Sequence, residues 1–139
     1  MRVSFRDLQD AFEFVSVGTG EHEAFLCKKS GKIYFHSELV DDLDELPDDV
    51  GDSDKFLQIP DKRAFDLGKP LVLDFARKFL ADDFEDVRQF FGKKGAYARF
   101  KGLLERRGAL DHWYAFEAKA EENALRAWCE FNKIELADG

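Results

Sequence analysis

Three groups of residues in this chain could do chemistry. The first is ELVDDLDELPDDVGDSD, residues 38–54, which holds nine carboxylates and no Lys or Arg. Clustered carboxylates can ligate a hard cation, which takes oxygen donors, or can dock a basic partner. Asp41, Asp42, Asp44, Asp48 and Asp49 are the binding candidates there. The second is GKKGAYARFKGLLERRG, residues 92–108, with six bases against one acid. Lys93 and Lys94 precede a predicted helix, and free first-turn amides beside two ammonium groups suit a phosphate. Arg99 and Lys101 extend the positive surface next to Tyr97 and Phe100. Cations beside rings are the combination that tracks and stacks a nucleic acid strand. The third is Glu117, which falls between Trp113 and Tyr114 on the helical wheel, inside an apolar stripe. A carboxylate there must be paired, hydrogen-bonded or protonated, and Arg107 and Arg99 are its candidate partners. With a raised pKa it would be a general acid or base, the one weak catalytic candidate in the chain.

Each group also has a plainer reading. A helix–loop–helix calcium site needs oxygen donors at its first, third and fifth positions, then Gly. Asp52-Ser53-Asp54 is followed by Lys55 and Phe56, and Asp42-Leu43-Asp44 puts Leu46 next in phase, so no metal site is expected. The acidic run is otherwise a solvated loop between strands, pinned to the body by Leu39, Val40, Leu43, Leu46 and Val50 facing inward. Residues 92–108 read equally as a core helix with a wet basic face, Tyr97, Phe100, Leu103 and Leu104 forming the buried stripe. Glu117 with Arg107 would be a buried pair that fixes how two helices cross. For catalysis it lacks an obvious second group.

Other chemical signals are weak. On the expected hairpin, Cys27 and His36 share a face as diagonal neighbours, but two ligands do not make a zinc site and no CxxC or HxxxH spacing completes one. No GxSxG is present, and GKPLVLD does not match the phosphate-loop pattern. No cofactor is expected.

The net charge of −8 has an address. Outside residues 38–54 the chain carries 20 acids against 21 bases, so the molecule is bipolar, with fields of both signs available to partners. Its 139 residues fit a single domain, 1–139. Fifteen Phe, three Tyr and two Trp supply a core, and 45% hydrophobic content argues against disorder. Cys27 and Cys129 are too few for a disulfide framework, no apolar leader follows Met1, and no apolar run approaches the length of a membrane span. These features indicate a cytoplasmic protein with free thiols and no membrane partner.

The elements that must position these residues follow from periodicity. Phe5, Leu8, Ala11, Phe12 and Val15 recur at helical spacing behind Ser4, a suitable N-cap. EAFLCKK and KIYFHS flank Ser30-Gly31 and predict a hairpin; a two-residue loop would set Phe25 opposite His36 and bury Leu26, Ile33 and Phe35 on one face. KFLQIP predicts a third strand that Pro60 ends. Helical patterns then run to the end: LVLDFARKFL entered at Lys69-Pro70, DFEDVRQFFG, AYARFKGLLERRG, and a long helix from about Leu110 to Asn132. His112 on that helix points away from the stripe, toward solvent. The fold class is α+β: an N-terminal helix, a small three-stranded antiparallel sheet, then about four C-terminal helices.

DLQDAFEFVS, ELPDDVGDSDKFLQIPDK, FDLGKPLVLDFA and above all GAYARFKGLLERRGALDHWYAFEAKA resemble uncharacterised protein family 0158, short acidic bacterial proteins. The resemblance covers about residues 5–134 and implies a bacterial, single-domain, cytoplasmic protein; it brings no catalytic or ligand assignment. The expected function is therefore a non-catalytic binding module acting through the acidic segment and the basic helix, with another protein of basic surface as partner. Nucleic acid binding by the basic helix, and an enzyme built around Glu117, are the alternatives.

Overall fold

The first helix forms where its apolar spacing predicts it. In the computed structural model, which describes residues 2–18, 20–40, 43 and 45–137, α1 runs Phe5–Val15 and buries Leu8, Ala11, Phe12 and Val15. The Ser4 hydroxyl accepts from the Asp7 amide at 3.4 Å, satisfying a first-turn donor that the helix leaves open. Phe5, at the edge of the stripe, is half-buried, with the Arg126 guanidinium 4.4 Å over its ring.

A three-stranded antiparallel sheet follows, β2 (His22–Cys27), β3 (Ile33–Ser37) and β4 (Phe56–Gln58), in the order β3-β2-β4. The hairpin differs from the expected register by two residues: Phe25 faces Tyr34, and His36 faces Glu23. The loop is longer than Ser30-Gly31 alone. Cys27 and Lys32 close it through a 2.9 Å bond, and the Gly31 amide reaches back to the Cys27 carbonyl at 2.8 Å. Gly31 adopts φ +77°, which a side chain would resist. A slip of one residue would have exchanged the two faces; a slip of two preserves them. Ala24 and Leu26 are accordingly buried, while Phe35 and Ile33 opposite them, expected to be buried too, are only half-buried. Cys27 and His36 keep a common face but are not the diagonal neighbours expected, because the shift moves His36 up the ladder.

Two short strands escaped the sequence reading. β1 (Arg2–Val3) pairs in parallel with β5 (Glu135–Leu136), and an exposed Arg2–Glu135 ion pair at 3.6 Å runs alongside. Two residues give no alternation to detect.

The chain divides into two compact units, residues 1–65 with 124–139, and residues 66–123. The second is helical: α2 (Lys69–Phe79), a 3₁₀ turn (Ala81–Asp83), α3 (Phe84–Phe90), α4 (Ala96–Arg106) and the start of α5 (Leu110–Phe131). Pro70 sits in the first turn of α2, where the missing N–H costs nothing and its fixed φ favours entry. With the N-terminal helix and the sheet ahead of them, these four helices complete the α+β architecture.

Phe75 of α2 is fully buried and organises this unit. The rings of Phe79, His112, Trp113 and Phe116 have centroids 5.1–5.3 Å from it, and Phe100 lies at 6.4 Å. Most meet it edge-to-face, the geometry that the ring quadrupole favours. Phe75→Ala should cost about 3–5 kcal/mol, through lost burial and the cavity left behind. Urea denaturation followed by tryptophan fluorescence reads this directly; a change within the ±0.5 kcal/mol typical of surface substitutions would show that the cluster does not hold the unit together.

Candidate functional site

Within the acidic segment, residues 46–55 are anchored. Asp41, Asp42 and Asp44 lie outside the described residues. Asp48 and Asp49 are exposed on the turns that lead into β4. There Asp49 pairs with Lys55 at 3.1 Å, and the Lys28 ammonium donates to the Ser53 carbonyl at 2.6 Å. Asp52 accepts the Asp54 amide on its side chain at 2.9 Å, while its carbonyl receives the Lys55 and Phe56 amides. Leu46 and Val50 are half-buried. These contacts tie residues 46–55 to the start of the strand.

The expectation that all five apolar residues of the segment turn inward is not met. Leu39, Val40 and Leu43 are 70, 46 and 37% exposed. The ladder ends at Ser37, whose hydroxyl turns back to accept the Leu39 amide at 3.0 Å. The Glu38 amide still donates to the Glu21 carbonyl at 3.1 Å, but among the described residues no strand takes in Leu39, Val40 or Leu43. Among the described residues no group of three or more His, Cys, Asp or Glu could hold a metal ion.

The basic candidates Lys93, Lys94, Arg99 and Lys101 are all exposed. α4 starts after Gly95, at φ +73° and without a side-chain cap. Arg99 donates its Nε–H to the Lys94 carbonyl at 3.2 Å, pulling the entry turn onto the helix. Among the described residues, neither these four cations nor Arg106 forms an ion pair with a carboxylate.

The aromatic neighbours sit differently from the expected stripe. Phe100, Leu103 and Leu104 are buried, but Tyr97 is 51% exposed and Tyr114, on α5, 43% exposed. Phe100 points at Phe75, and Tyr97, one turn earlier at the start of α4, stands at the rim. There it meets Phe91 edge-on at 5.5 Å. The Lys101 ammonium lies 5.8 Å from the Tyr114 ring.

Glu117 is half-buried, but its expected arginine belongs to another carboxylate. Arg107 donates Nε–H to Asp83 Oδ2 at 2.9 Å and Nη2–H to Oδ1 at 2.8 Å. Arg99 is likewise turned to the Lys94 carbonyl. The buried Asp83 ends the 3₁₀ turn and caps no amide with its side chain, because both oxygens face the guanidinium. Sequence reasoning singled out the arginine as a partner and missed the acid. Asp83 stands in LADDFED, where a pair of aspartates ahead of a helix reads as an ordinary helix start.

The Asp83–Arg107 pair borders a cavity of about 530 Å³ lined also by Lys78, Phe79 and Asp82. Both hydrogen bonds from Arg107 hold the Asp83 carboxyl below its ordinary range, outweighing the burial that pushes it up. A carboxylate held ionised by a bidentate arginine is a brace between the 3₁₀ turn and the end of α4, and a poor proton donor. His112 is exposed as expected, yet its ring rests 4.3 Å from that of Phe79. Glu117 lines none of the four cavities described in the chain.

Sequence reasoning also gave little weight to Cys27. It ends β2 in a cavity of about 490 Å³ with Lys28, Lys29, Asp49, Asp54, Lys55 and Phe56. Hydrogen bonds from the Ser30 side chain and backbone hold the thiol below its ordinary pKa. Cys129 is the opposite case: buried, with desolvation pushing its thiol up.

Two outcomes follow from these environments. Because the folded pKa of Asp83 lies below its unfolded value, the stability it contributes is present above about pH 4 and is lost as pH falls through the folded value. Asp83→Asn should therefore lower the urea midpoint at neutral pH, with the gap to the unaltered protein closing in acid; a gap constant with pH would remove the charge from the explanation. Iodoacetamide should alkylate Cys27 well before Cys129 in the native protein, the thiolate being the reactive form. Ser30→Ala should shift the Cys27 rate profile to higher pH, and an unmoved profile would assign the shift to another group.

No helix of the described residues is long and apolar enough to cross a membrane. No protein-family model matches the chain, and neither a curated protein nor a solved structure does.

Proposed function

We propose that this protein is a non-catalytic binding module that docks, through residues 38–54, on a macromolecule with a basic surface. One observation carries the reading: Leu39, Val40 and Leu43 are exposed within the most acidic stretch of the chain. In a loop that merely stays wet, leucines fold inward and acids outward. Here apolar and acidic side chains face solvent together.

The two kinds of residue do different work. Long-range attraction from the carboxylates speeds encounter and selects the sign of the partner. Apolar side chains that leave water on contact slow dissociation. The anchored half, held by Lys55 and Lys28, lowers the ordering entropy that binding would otherwise cost. The fitting partner surface is an apolar pocket with a cationic rim. The free thiols Cys27 and Cys129 support a reducing, cytoplasmic setting. The resemblance to uncharacterised protein family 0158 belongs to the same reading and adds no activity to it.

Quantitative co-purification from native cells tests this. A partner with a basic surface should co-purify at low salt and be released at high salt. The L39S/V40S/L43S variant should retain at most about a tenth of it, the size expected when apolar contacts worth about 1.4 kcal/mol are lost. Asp48→Asn with Asp49→Asn should flatten the salt dependence. Equal recovery with the native chain and the triple serine variant, both folded by circular dichroism, would end the proposal.

A further inference from the structure

We infer that the surface running from Tyr97 through Lys101 to Tyr114 takes single-stranded nucleic acid, its bases stacked on the two tyrosines and its phosphates on Lys93, Lys94 and Lys101. This surface shares no residue with the acidic docking segment, so the two readings stand or fall separately.

The surface is continuous. Tyr97 and Lys101 are four residues apart on α4, and so are neighbours on one side of the helix. Lys101 reaches to 5.8 Å from the Tyr114 ring. Phe91 backs Tyr97 edge-on, and the Lys69 ammonium lies 5.8 Å from the Phe91 ring. Lys93 and Lys94 lead in from the turn that precedes α4. Rings on which bases stack must be exposed yet held in place. Tyr97 meets both conditions through Phe91; Tyr114 meets them because its neighbour Trp113 is locked into the core.

The charges set the limits of the site. On the helical wheel Arg99 and Arg106 fall on the far flank of α4 from Tyr97 and lie off the path. Glu105 stands one turn beyond Lys101, and Asp111 and Glu117 stand three residues to either side of Tyr114. These carboxylates repel phosphates and confine the backbone to the amino-terminal half of α4. The result is a short site that reads a few nucleotides.

The rings decide between polyanions. An acidic peptide would use the lysines and leave both tyrosines idle. Bases locked in a duplex cannot stack on a side ring, whereas unpaired bases can.

Fluorescence anisotropy of the full chain at low salt, with labelled oligothymidylate and oligouridylate of equal length, tests the inference. At least one of the two should bind, and the comparison reports whether DNA or RNA is the source. The matching duplex should bind at least about tenfold more weakly, and polyglutamate should not compete. Tyr97→Leu and Tyr114→Leu should each weaken binding about tenfold, while Tyr97→Phe should not. The K93Q/K94Q/K101Q variant should lower the slope of log K against log salt by about 2. The L39S/V40S/L43S variant should bind as the native chain does. No strand binding, equal duplex binding, competition by polyglutamate, or leucine variants that bind normally would each overturn the inference.

Discussion

The helical unit is arranged around one ring. Phe75 is surrounded by Phe79, Phe100, His112, Trp113 and Phe116, and a side chain that buries on it fixes the rotation of its own helix. Tyr97 shares the buried side of α4 with Phe100 and Leu104 but stands in the first turn of the helix, where it is exposed; with Trp113 directed at Phe75, the next residue on α5, Tyr114, is turned outward. The exposure of Tyr114 is thus a consequence of packing, and that of Tyr97 of its place at the start of α4. A wider core would have absorbed them, and the lysines beside them would then be an ordinary wet face. Dense interiors allow little adjustment of this kind, so the outer surface of the unit is set from within.

The Asp83–Arg107 contact sets the electrostatics in a similar way. It consumes one arginine of residues 92–108, and it does so with a carboxylate from outside that stretch. The remaining cations of the segment therefore keep their charge for solvent or for a ligand. A bidentate pair between a buried carboxylate and a half-exposed guanidinium is oriented well enough to matter, and it ties the 3₁₀ turn to the end of α4 without a hydrophobic contact.

Much of this was legible in the sequence, and the failures have physical causes. α1 with its Ser4 cap, the presence of the three strands, Pro70 at the start of α2 and the extent of α5 all follow from period and punctuation, which are local. The hairpin register depends on how many residues the turn takes, and Ser30-Gly31 marks the turn without fixing its length. The sheet faces nevertheless came out right, since an even slip leaves the pleat unchanged. β1 and β5 join residues more than 130 positions apart through two residues each, so nothing local announces them. For Glu117 the wheel identified a carboxylate in an apolar stripe, but pairing is a question of distance, and Asp83 was nearer to Arg107 in space while looking unremarkable in sequence. Tyr97 and Tyr114 were placed inside because a helical wheel treats every ring on a stripe alike. On α4 the packed stretch is shorter than the apolar stripe, because Tyr97 in the first turn is left exposed.

Charge segregation along this chain has a further physical meaning. Opposite charges placed close together neutralise one another and give a stable but featureless surface. Here the acidic stretch uses Lys55 and Lys28 to secure its second half and leaves Leu39 and Val40 facing water. Residues 92–108 spend Arg107 on a brace and leave their other cations unneutralised among the described residues. In both stretches some charges serve the fold, while exposed apolar or aromatic side chains (Leu39, Val40 and Leu43 in one, Tyr97 in the other) stand among the rest. Self-stabilisation would not favour that division, because exposed leucines and tyrosines lose the burial that drives folding. Contact with a partner does favour it: charge brings the surfaces together and apolar groups hold them. The same side chains that weaken the case for a purely structural role are the ones an interface requires.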